Sequence, residues 1–331
     1  MKKKDVFGIG NALVDTVAFV NDDFLRNHDV SKGTMSLVDE EMQGRLLADL
    51  ADHELKMTAG GSAANTMHGI ALCGGNGYYA GKVASDSFGE FYKDDLQNLG
   101  IKFEVPPGPK DGTTTGTCLV LTTPDAERSM LTHLGISSSL SNGDINFDDI
   151  KNCKALYIEG YMWDGDHQKE ACIEAMKVAR DNGVLVTFTF SDPFCVNRSK
   201  QEFHDICQDY LDVVFCNADE ACAFADTKDF DKAVEYVKDK VRGAYITNSE
   251  HGSIVVTDGQ IKQVAGFPVE PVDTTGAGDA FAAGTLYGLT HDFSPELAAR
   301  VGNYLGSRIV QKTGARLIPA DISKLETIIS G

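Results

Sequence analysis

The chain has 331 residues, of which 42% are hydrophobic and 24% charged, a composition typical of a globular protein with a substantial core. Thirty Lys and Arg residues against forty-nine Asp and Glu residues give a formal net charge of −19, which argues against non-specific binding to nucleic acid or anionic membranes. Because such a surface repels phosphate, a nucleotide site would have to be built locally from backbone N–H groups and a divalent cation.

The chain begins with MKKKDVFGIG, a basic segment without the apolar core of a signal peptide. No stretch approaches eighteen consecutive apolar residues, so we also expect no membrane span. The eight cysteines form no C-x-x-C pair, and in a chain of this length they are typical of reduced core thiols. These features together predict a cytoplasmic protein.

Short β-forming runs alternate with helical stretches along most of the chain, which indicates a parallel sheet with crossover helices. The predicted core strands are residues 5–10, 77–83, 155–159, 184–188, 213–216 and 244–247. The predicted helices are residues 63–72, 88–99, 168–182, 232–240, 277–289 and 295–312. Glycine follows several of these helices, as helix C-termini prefer.

Residues 16–38 and 113–131 interrupt this alternation, because they are rich in β-forming residues and enclose no long helix. We expect these two segments to pair as a small β-rich lid inserted into a single domain that spans residues 1–331. The predicted fold is therefore a three-layer α/β/α domain with a mostly parallel central sheet and a lid outside it.

The strongest chemical signal is the motif DTTGAGD at residues 273–279, which precedes a helix of small residues. Gly276 and Gly278 permit a tight turn that directs backbone N–H groups to one point, at the positive end of the helix. Asp279 would follow in the first turn, where a carboxylate can accept a proton from an attacking hydroxyl. A capped helix with glycines used for packing explains the same spacing, so the turn alone leaves both interpretations open.

The motif DTTGAGD resembles the C-terminal signature of the ribokinase-like (PfkB) carbohydrate and nucleoside kinases. Three further motifs precede it along the chain in the same order as in that family: GNALVD at 10–15, GGSAAN at 60–65 and NADE at 217–220. The chain has neither G-x-x-x-x-G-K-[ST] nor H-R-D, the signatures of other phosphotransferases. The resemblance covers essentially the whole chain and implies a ribokinase-like fold and an ATP-dependent kinase with an alcohol group as acceptor.

The resemblance implies a catalytic role for the DTTGAGD turn. Asp279 would be the general base, and the amides of Gly276, Ala277 and Gly278 would form the anion hole. Asn217 and Glu220 would hold Mg²⁺ through water molecules, although a solvated helix face explains N-x-x-E equally simply. The implied cofactors are ATP and Mg²⁺, and a monovalent cation such as K⁺ stays open.

The substrate site implied by the resemblance lies at the carboxyl edge of the sheet. Asn11 and Asp15 would bind sugar hydroxyls, with a capping role as the alternative for Asp15. Gly60 and Gly61 would be the hinge of lid closure, and Asn65 would reach the sugar from the following helix.

The remaining predictions are residues that would contact the nucleotide and one tryptophan that would contact the substrate. Arg128 would close over the phosphates, unless it is an exposed lid residue. Asn303 would line the adenine pocket, unless it lies at the edge of the core. Trp163 would touch the substrate, unless it is packed. Further nucleotide contacts would come from Thr247, Ser249, Gly252 and Gly314.

Within the family, the segments YIEGYMW and SDPFCVN are similar to adenosine kinases, which implies phosphorylation of the 5′-hydroxymethyl of a purine nucleoside, adenosine to AMP. The candidates for stacking on the base are Phe19, Phe24, Phe194 and Trp163. A sugar kinase for ribose, fructose or another sugar, and a non-catalytic nucleotide-binding regulator, stay open. A dinucleotide-binding oxidoreductase is excluded because GIGNAL lacks the third glycine of that fingerprint. The expected partner is a small molecule, and the expected assembly is a monomer or a homodimer.

Overall fold

The structure is a computed structural model that describes residues 3–125 and 127–330. Its strands are β1 Lys4–Ile9, β2 Leu13–Phe19, β3 Met35–Leu37, β4 Lys56–Gly60, β5 Gly77–Ala80, β6 Gly116–Thr122, β7 Arg128–His133, β8 Cys153–Glu159, β9 Leu185–Thr189, β10 Val213–Asn217, β11 Gly243–Thr247, β12 Ser253–Thr257 and β13 Gln260–Val264. Its helices are α1 Asp22–Asn27, α2 Glu40–Asp49, α3 Ser62–Leu72, α4 Ser87–Asn98, α5 Phe147–Lys151, α6 Asp166–Asp181, α7 Pro193–Arg198, α8 Lys200–Asp209, α9 Ala218–Phe224, α10 Phe230–Lys240, α11 Ala277–Thr290, α12 Pro295–Ile309 and α13 Leu325–Ser330.

The main sheet has the strand order β13-β12-β11-β10-β9-β8-β1-β5. Strands β5, β1, β8, β9, β10 and β11 pair in parallel, whereas β12 and β13 continue the sheet as an antiparallel edge. The carboxyl ends of the parallel strands therefore meet along one edge, which is where α/β sheets bind ligands.

Side chains of the central strands alternate between two helical layers. Ile158 of β8 packs into the cluster that contains Ala175 of α6, while its neighbour Tyr157 packs into the cluster that contains Met67 of α3 and Phe281 of α11. Helices thus cover both faces of the sheet, as a sheet of buried parallel strands requires. The predicted three-layer α/β/α class is confirmed.

A second sheet, with the order β3-β7-β6-β2-β4, forms the lid. On one face Ala18 and Leu119 pack against Leu46 and Leu50, residues on and just after α2. Because side chains alternate along a strand, Asp15 and Phe19 lie on the opposite face of β2. Strand β4 and helix α2 lie outside the two predicted lid segments, and residue 126 of the second segment lies outside the described residues.

All six predicted core strands and all six predicted helices are present, with ends displaced by a few residues. The antiparallel pair β12 and β13 was not predicted. In the part of the chain that the structure describes, every helix is too short or too polar to cross a bilayer.

Candidate active site

Two helix N-termini converge on Asp279, the third residue of α11. From the first residue of α3, Ser62 Oγ donates to Asp279 Oδ1 at 2.6 Å. One turn later Asn65 Nδ2 donates to Oδ2 at 3.2 Å, so each carboxylate oxygen has its own donor. The predicted general base is therefore held in one orientation by the GGSAAN segment.

The surroundings of Asp279 bring the pKa of its carboxyl closer to neutral pH. Burial raises the pKa of Asp279 to about 6, although the hydrogen bonds from Ser62 and Asn65 lower this pKa by stabilising the charged form. A carboxylate with such a pKa is ionised at pH 7 and still basic enough to accept a proton.

The DTTGAGD turn bends sharply at Gly276, which has a φ of 77° and caps α11. A Cβ at Gly276 would come within 2.6 Å of the Ala315 carbonyl oxygen, so only glycine fits this turn. The amide of Ala277 donates to Thr274 O at 3.1 Å and is not free for an anion. The amides of Gly276 and Gly278 have no acceptor among the described residues, and open space lies beside Gly278. The predicted three-amide hole is therefore reduced to these two.

Asp15 lies on the lid face opposite α2, and its carboxyl packs against Gly60 in the neighbouring strand β4. A Cβ at Gly60 would overlap this carboxylate, so close packing explains the glycine. Burial raises the pKa of Asp15 to about 7, while the positive charges of Arg316 and Arg128 lower this pKa and the charge of Asp279 raises it. The charges of Asp15 and Asp279 therefore interact across the site.

Gly61 connects the lid to α3 with a φ of 93°. A Cβ at this position would overlap the backbone oxygen of Asn11. Glu159, at the end of β8, accepts from Asn11 N and Ala63 N, each at 2.8 Å, and so ties this connection to the main sheet. Burial raises the pKa of Glu159 to about 7.

The side chain of Asn11 is largely engaged by protein. Its Oδ1 accepts from Gln168 Nε2 at 2.9 Å and from Ser137 Oγ at 3.2 Å. Asn11 is also 4% exposed. Only its amide nitrogen is left to bind a ligand. Asn11 can therefore make fewer hydrogen bonds to sugar hydroxyls than the sequence predicted.

Arg128 of the lid pairs with Asp273 at the start of the DTTGAGD motif, with a distance of 2.6 Å between Nη2 and Oδ2. Both side chains are buried. Asp273 also accepts from Thr275 N at 3.0 Å and Gly314 N at 2.8 Å. The lid arginine is therefore a buried residue at the DTTGAGD turn and not an exposed lid residue.

Asn217 and Glu220 form a reciprocal capping box at the start of α9. Asn217 Oδ1 accepts from Glu220 N, and Glu220 accepts from both nitrogen atoms of Asn217 at 2.8–3.0 Å. Burial raises the pKa of Glu220 to about 8. Within the described ranges, no cluster of three or more His, Cys, Asp or Glu side chains could hold a metal.

Most of the predicted nucleotide residues lie at the end of β11 or directly after it. Thr247 ends β11 directly beside Asn217, and Ser249 begins the single turn that follows. Gly252 ends this turn before β12. Asn303 Nδ2 donates to the backbone oxygens of Val264 and Ala265 at 3.1 and 3.2 Å, so the amide joins α12 to the end of β13.

The four aromatic candidates divide into two packed and two exposed side chains. Trp163 is 5% exposed and packs edge-on against Phe188 and Phe203 in the core. Phe24 stacks on His28 within the lid. Phe19 and Phe194 are 63% and 71% exposed, so only these two are available to a base.

Two charged residues at the site were not predicted as functional. Glu159 could have been noticed as an acid that ends an apolar strand. Arg316 Nε donates to Asn65 Oδ1 at 3.2 Å, and Arg316 Nη1 pairs with Asp95 of α4. No local pattern marks Arg316, because its partners lie 221 and 251 residues away in the chain.

Comparison with known proteins gives consistent matches over nearly the whole chain. Residues 40–321 match the model described as pfkB family carbohydrate kinase. An adenosine kinase of Saccharomyces cerevisiae is 28% identical over 332 residues, covering 92% of this chain and 94% of the relative. The crystal structure of adenosine kinase from Sinorhizobium meliloti is 36% identical, with a TM-score of 0.90 and coverage of 99% of this chain and 100% of that one. A probable sugar kinase from Rhizobium etli is 34% identical, with a TM-score of 0.91 and the same coverage.

Proposed function

The chain belongs to the pfkB family of carbohydrate kinases and is an ATP-dependent kinase, and we propose that its acceptor is the 5′-hydroxyl of adenosine, which it converts to AMP. An adenosine kinase and a probable sugar kinase are similar to this chain at 36% and 34% identity. Overall similarity therefore does not separate the two substrate classes, and the argument for adenosine depends on the site.

The observation that carries the reaction is the two-point support of Asp279 by Ser62 and Asn65. The 5′-oxygen attacks the γ-phosphorus of ATP, its proton passes to Asp279, and the bond to the β–γ bridging oxygen breaks to release ADP. General-base assistance of this kind contributes about 10²–10⁴-fold to the rate. The proton is later lost to solvent, which a pKa of about 6 permits.

The phosphoryl group would be received by the start of α11. The amides of Gly276 and Gly278 are free among the described residues, and the helix dipole adds positive potential at this point. A donor aimed at developing negative charge contributes about 3–4 kcal/mol to transition-state stabilisation. This backbone site suits a chain with a net charge of −19, because it needs no cluster of lysines.

The Asn217–Glu220 pair fits a Mg²⁺ ion that arrives with ATP. Asn217 and Glu220 would hold its water molecules, since Glu220 keeps lone pairs beyond those used by its cap. Mg²⁺ bound to ATP neutralises negative charge on the phosphate oxygens.

The lid supports the choice of a nucleoside as the substrate. Asp15 can accept hydrogen bonds from two vicinal ribose hydroxyls, and Phe19 lies further along the same face of β2. Phe194, at the start of α7, follows β9 at the carboxyl edge of the sheet. Both rings are exposed, and large exposed apolar groups near a polar site indicate a surface for a planar apolar partner such as a purine.

The second candidate is a free-sugar kinase, which the 34% identical probable sugar kinase favours. The same base and anion hole would serve a sugar hydroxymethyl group. Because a free sugar has no base, Phe19 and Phe194 would then have no ring to stack on.

The test is ADP release from Mg·ATP with adenosine, inosine, guanosine, ribose and fructose as acceptors. We expect selective stimulation by adenosine, and stimulation by ribose or fructose alone would refute the nucleoside assignment. Asp279→Asn should lower kcat about 10³-fold with little change in ATP affinity. Asp94→Asn, at an exposed position on α4, is the matched control and should behave as wild type. Activity of Asp279→Asn close to that of wild type would refute the assignment of the base.

A further inference from the structure

Arg316 follows the segment QKTGA and lies against the helix that carries Asn65. Its guanidinium has two partners, Asp95 at Nη1 and Asn65 Oδ1 at Nε. Its third nitrogen, Nη2, is buried without a partner in the described part of the chain. A buried donor without a partner opposes stability.

The hydrogen-bonding chemistry of these side chains gives Asn65 a single orientation. Arginine has donors and no acceptor, so it can bind only the oxygen of the Asn65 amide. Ionised Asp279 has acceptors and no donor, so it can bind only the amide nitrogen. With Arg316 on one side, the amide must therefore present Nδ2 to Asp279 Oδ2.

Without Arg316, the Asn65 amide could rotate by 180° and place its oxygen against the carboxylate. That orientation brings two acceptors together and removes one of the two donors that stabilise the charged base. The donor from Ser62 would remain, because it comes from the start of α3 and does not contact Arg316.

We propose that Arg316 is a positioning residue for the reaction, which holds the Asn65 amide so that it supports Asp279 in the form that accepts a proton. Arg316 acts on the base through Asn65, and it touches neither Asp279 nor the reacting atoms. The inference rests on the proposed role of Asp279 as the base.

Several other charged groups act on this part of the site and must be separated from that effect. The charge of Asp279 influences Asp15, Tyr157, Glu159 and Glu220. Arg316 itself lowers the pKa of Asp15 through space. Removing its charge would therefore alter Asp15 in any case, and only a readout on Asp279 tests the inference.

The experiment measures the pKa of Asp279 by NMR in protein labelled with ¹³C at the aspartate carboxyls, without substrate. The Asp279 resonance is identified as the one that is missing from the spectrum of the Asp279→Asn variant. In Arg316→Met we expect the pKa of Asp279 to rise by about 0.5–1 unit, because one donor to the charged form is lost. kcat/KM should then fall about two- to fivefold at pH 6 and stay almost unchanged at pH 8. Arg300→Met, at an exposed position on α12, removes the same charge and should leave both values as in wild type.

A double-mutant cycle with Asn65→Ala separates positioning from charge. If Arg316 acts through Asn65, Arg316→Met should cause no further shift in the pKa of Asp279 once Asn65 has been replaced. Shifts that add in the double variant, or an unchanged pKa in Arg316→Met, would overturn the inference. If Arg316→Met does not fold, Arg316→Gln takes its place with the same criteria. Because the titration needs no substrate, its outcome does not depend on whether adenosine is the acceptor.

Discussion

Replacing Gly61 by alanine tests whether the connection between the lid and α3 is as constrained as its geometry indicates. Gly61 has a φ of 93°, and a Cβ there would overlap the backbone oxygen of Asn11. A left-handed non-glycine residue costs about 1–3 kcal/mol and overpacking a further 1–3 kcal/mol, so we expect a loss of roughly 4 kcal/mol. For a chain of 331 residues that corresponds to a melting temperature lower by about 6 °C.

The assay is thermal and urea denaturation of Gly61→Ala, measured beside kcat. Turnover should fall as well, because Ser62, the next residue, donates to Asp279. The matched control is Gly44→Ala in α2, where nothing lies within 4 Å of an added Cβ. This control should gain up to about 1 kcal/mol, since alanine favours a helix interior. A melting temperature of Gly61→Ala within about 1 °C of wild type would refute the reasoning.

Four further predictions concern residues of the lid and of the carboxyl edge of the main sheet. Asp15→Asn should raise the KM for adenosine about 10–100-fold with kcat little changed, and an equal fall in kcat would contradict a binding role. Arg128→Met should destabilise the protein by about 3 kcal/mol in urea denaturation, because the charge of Asp273 stays buried without its cation; a second replacement, Asp273→Asn, should recover part of the loss. Phe194→Ala should raise the KM for adenosine about tenfold without affecting the KM for ATP, and equal effects on both would remove Phe194 from the base site. Burial raises the pKa of Glu220 to about 8, so the folded protein keeps a proton that the unfolded chain releases near pH 4.5. The contribution of Glu220 to the free energy of unfolding should therefore fall between about pH 5 and 8, by up to about 1.4 kcal/mol per pH unit, and Glu220→Gln should flatten the measured pH dependence.

The parts of the fold that could be predicted are those in which a local pattern and the tertiary environment agree. Core strands such as β8 are almost wholly buried and are therefore nearly continuous apolar runs. Strand β13 was missed because it is an edge strand with mostly exposed, polar residues. Helix α2 was missed for a related reason, since only Gln43 and Leu46 of its ten residues are buried and its apolar stripe is narrow.

The site shows the same division between local and distant information. Asp279 was predicted because the glycines that shape its turn are adjacent to it in the sequence, and together they form a motif that resembles the family signature. Arg316 was not, because its function depends on contacts that only the folded chain creates. Trp163 was placed at the substrate from its position after a core strand, but an edge-on aromatic cluster holds it in the core.

The hydrogen bonds that orient Asp279 also determine when the site can form during folding. They join residues separated by 217 and 214 positions, and the Glu159 contacts span 148 and 96 positions. Contacts between such distant residues need most of the intervening chain to be ordered first, because closing long loops opposes them entropically. Helices and local strand pairs can form before these contacts. On refolding, the recovery of turnover should therefore lag behind the recovery of secondary structure, which makes kinase activity a reporter of the last steps of folding.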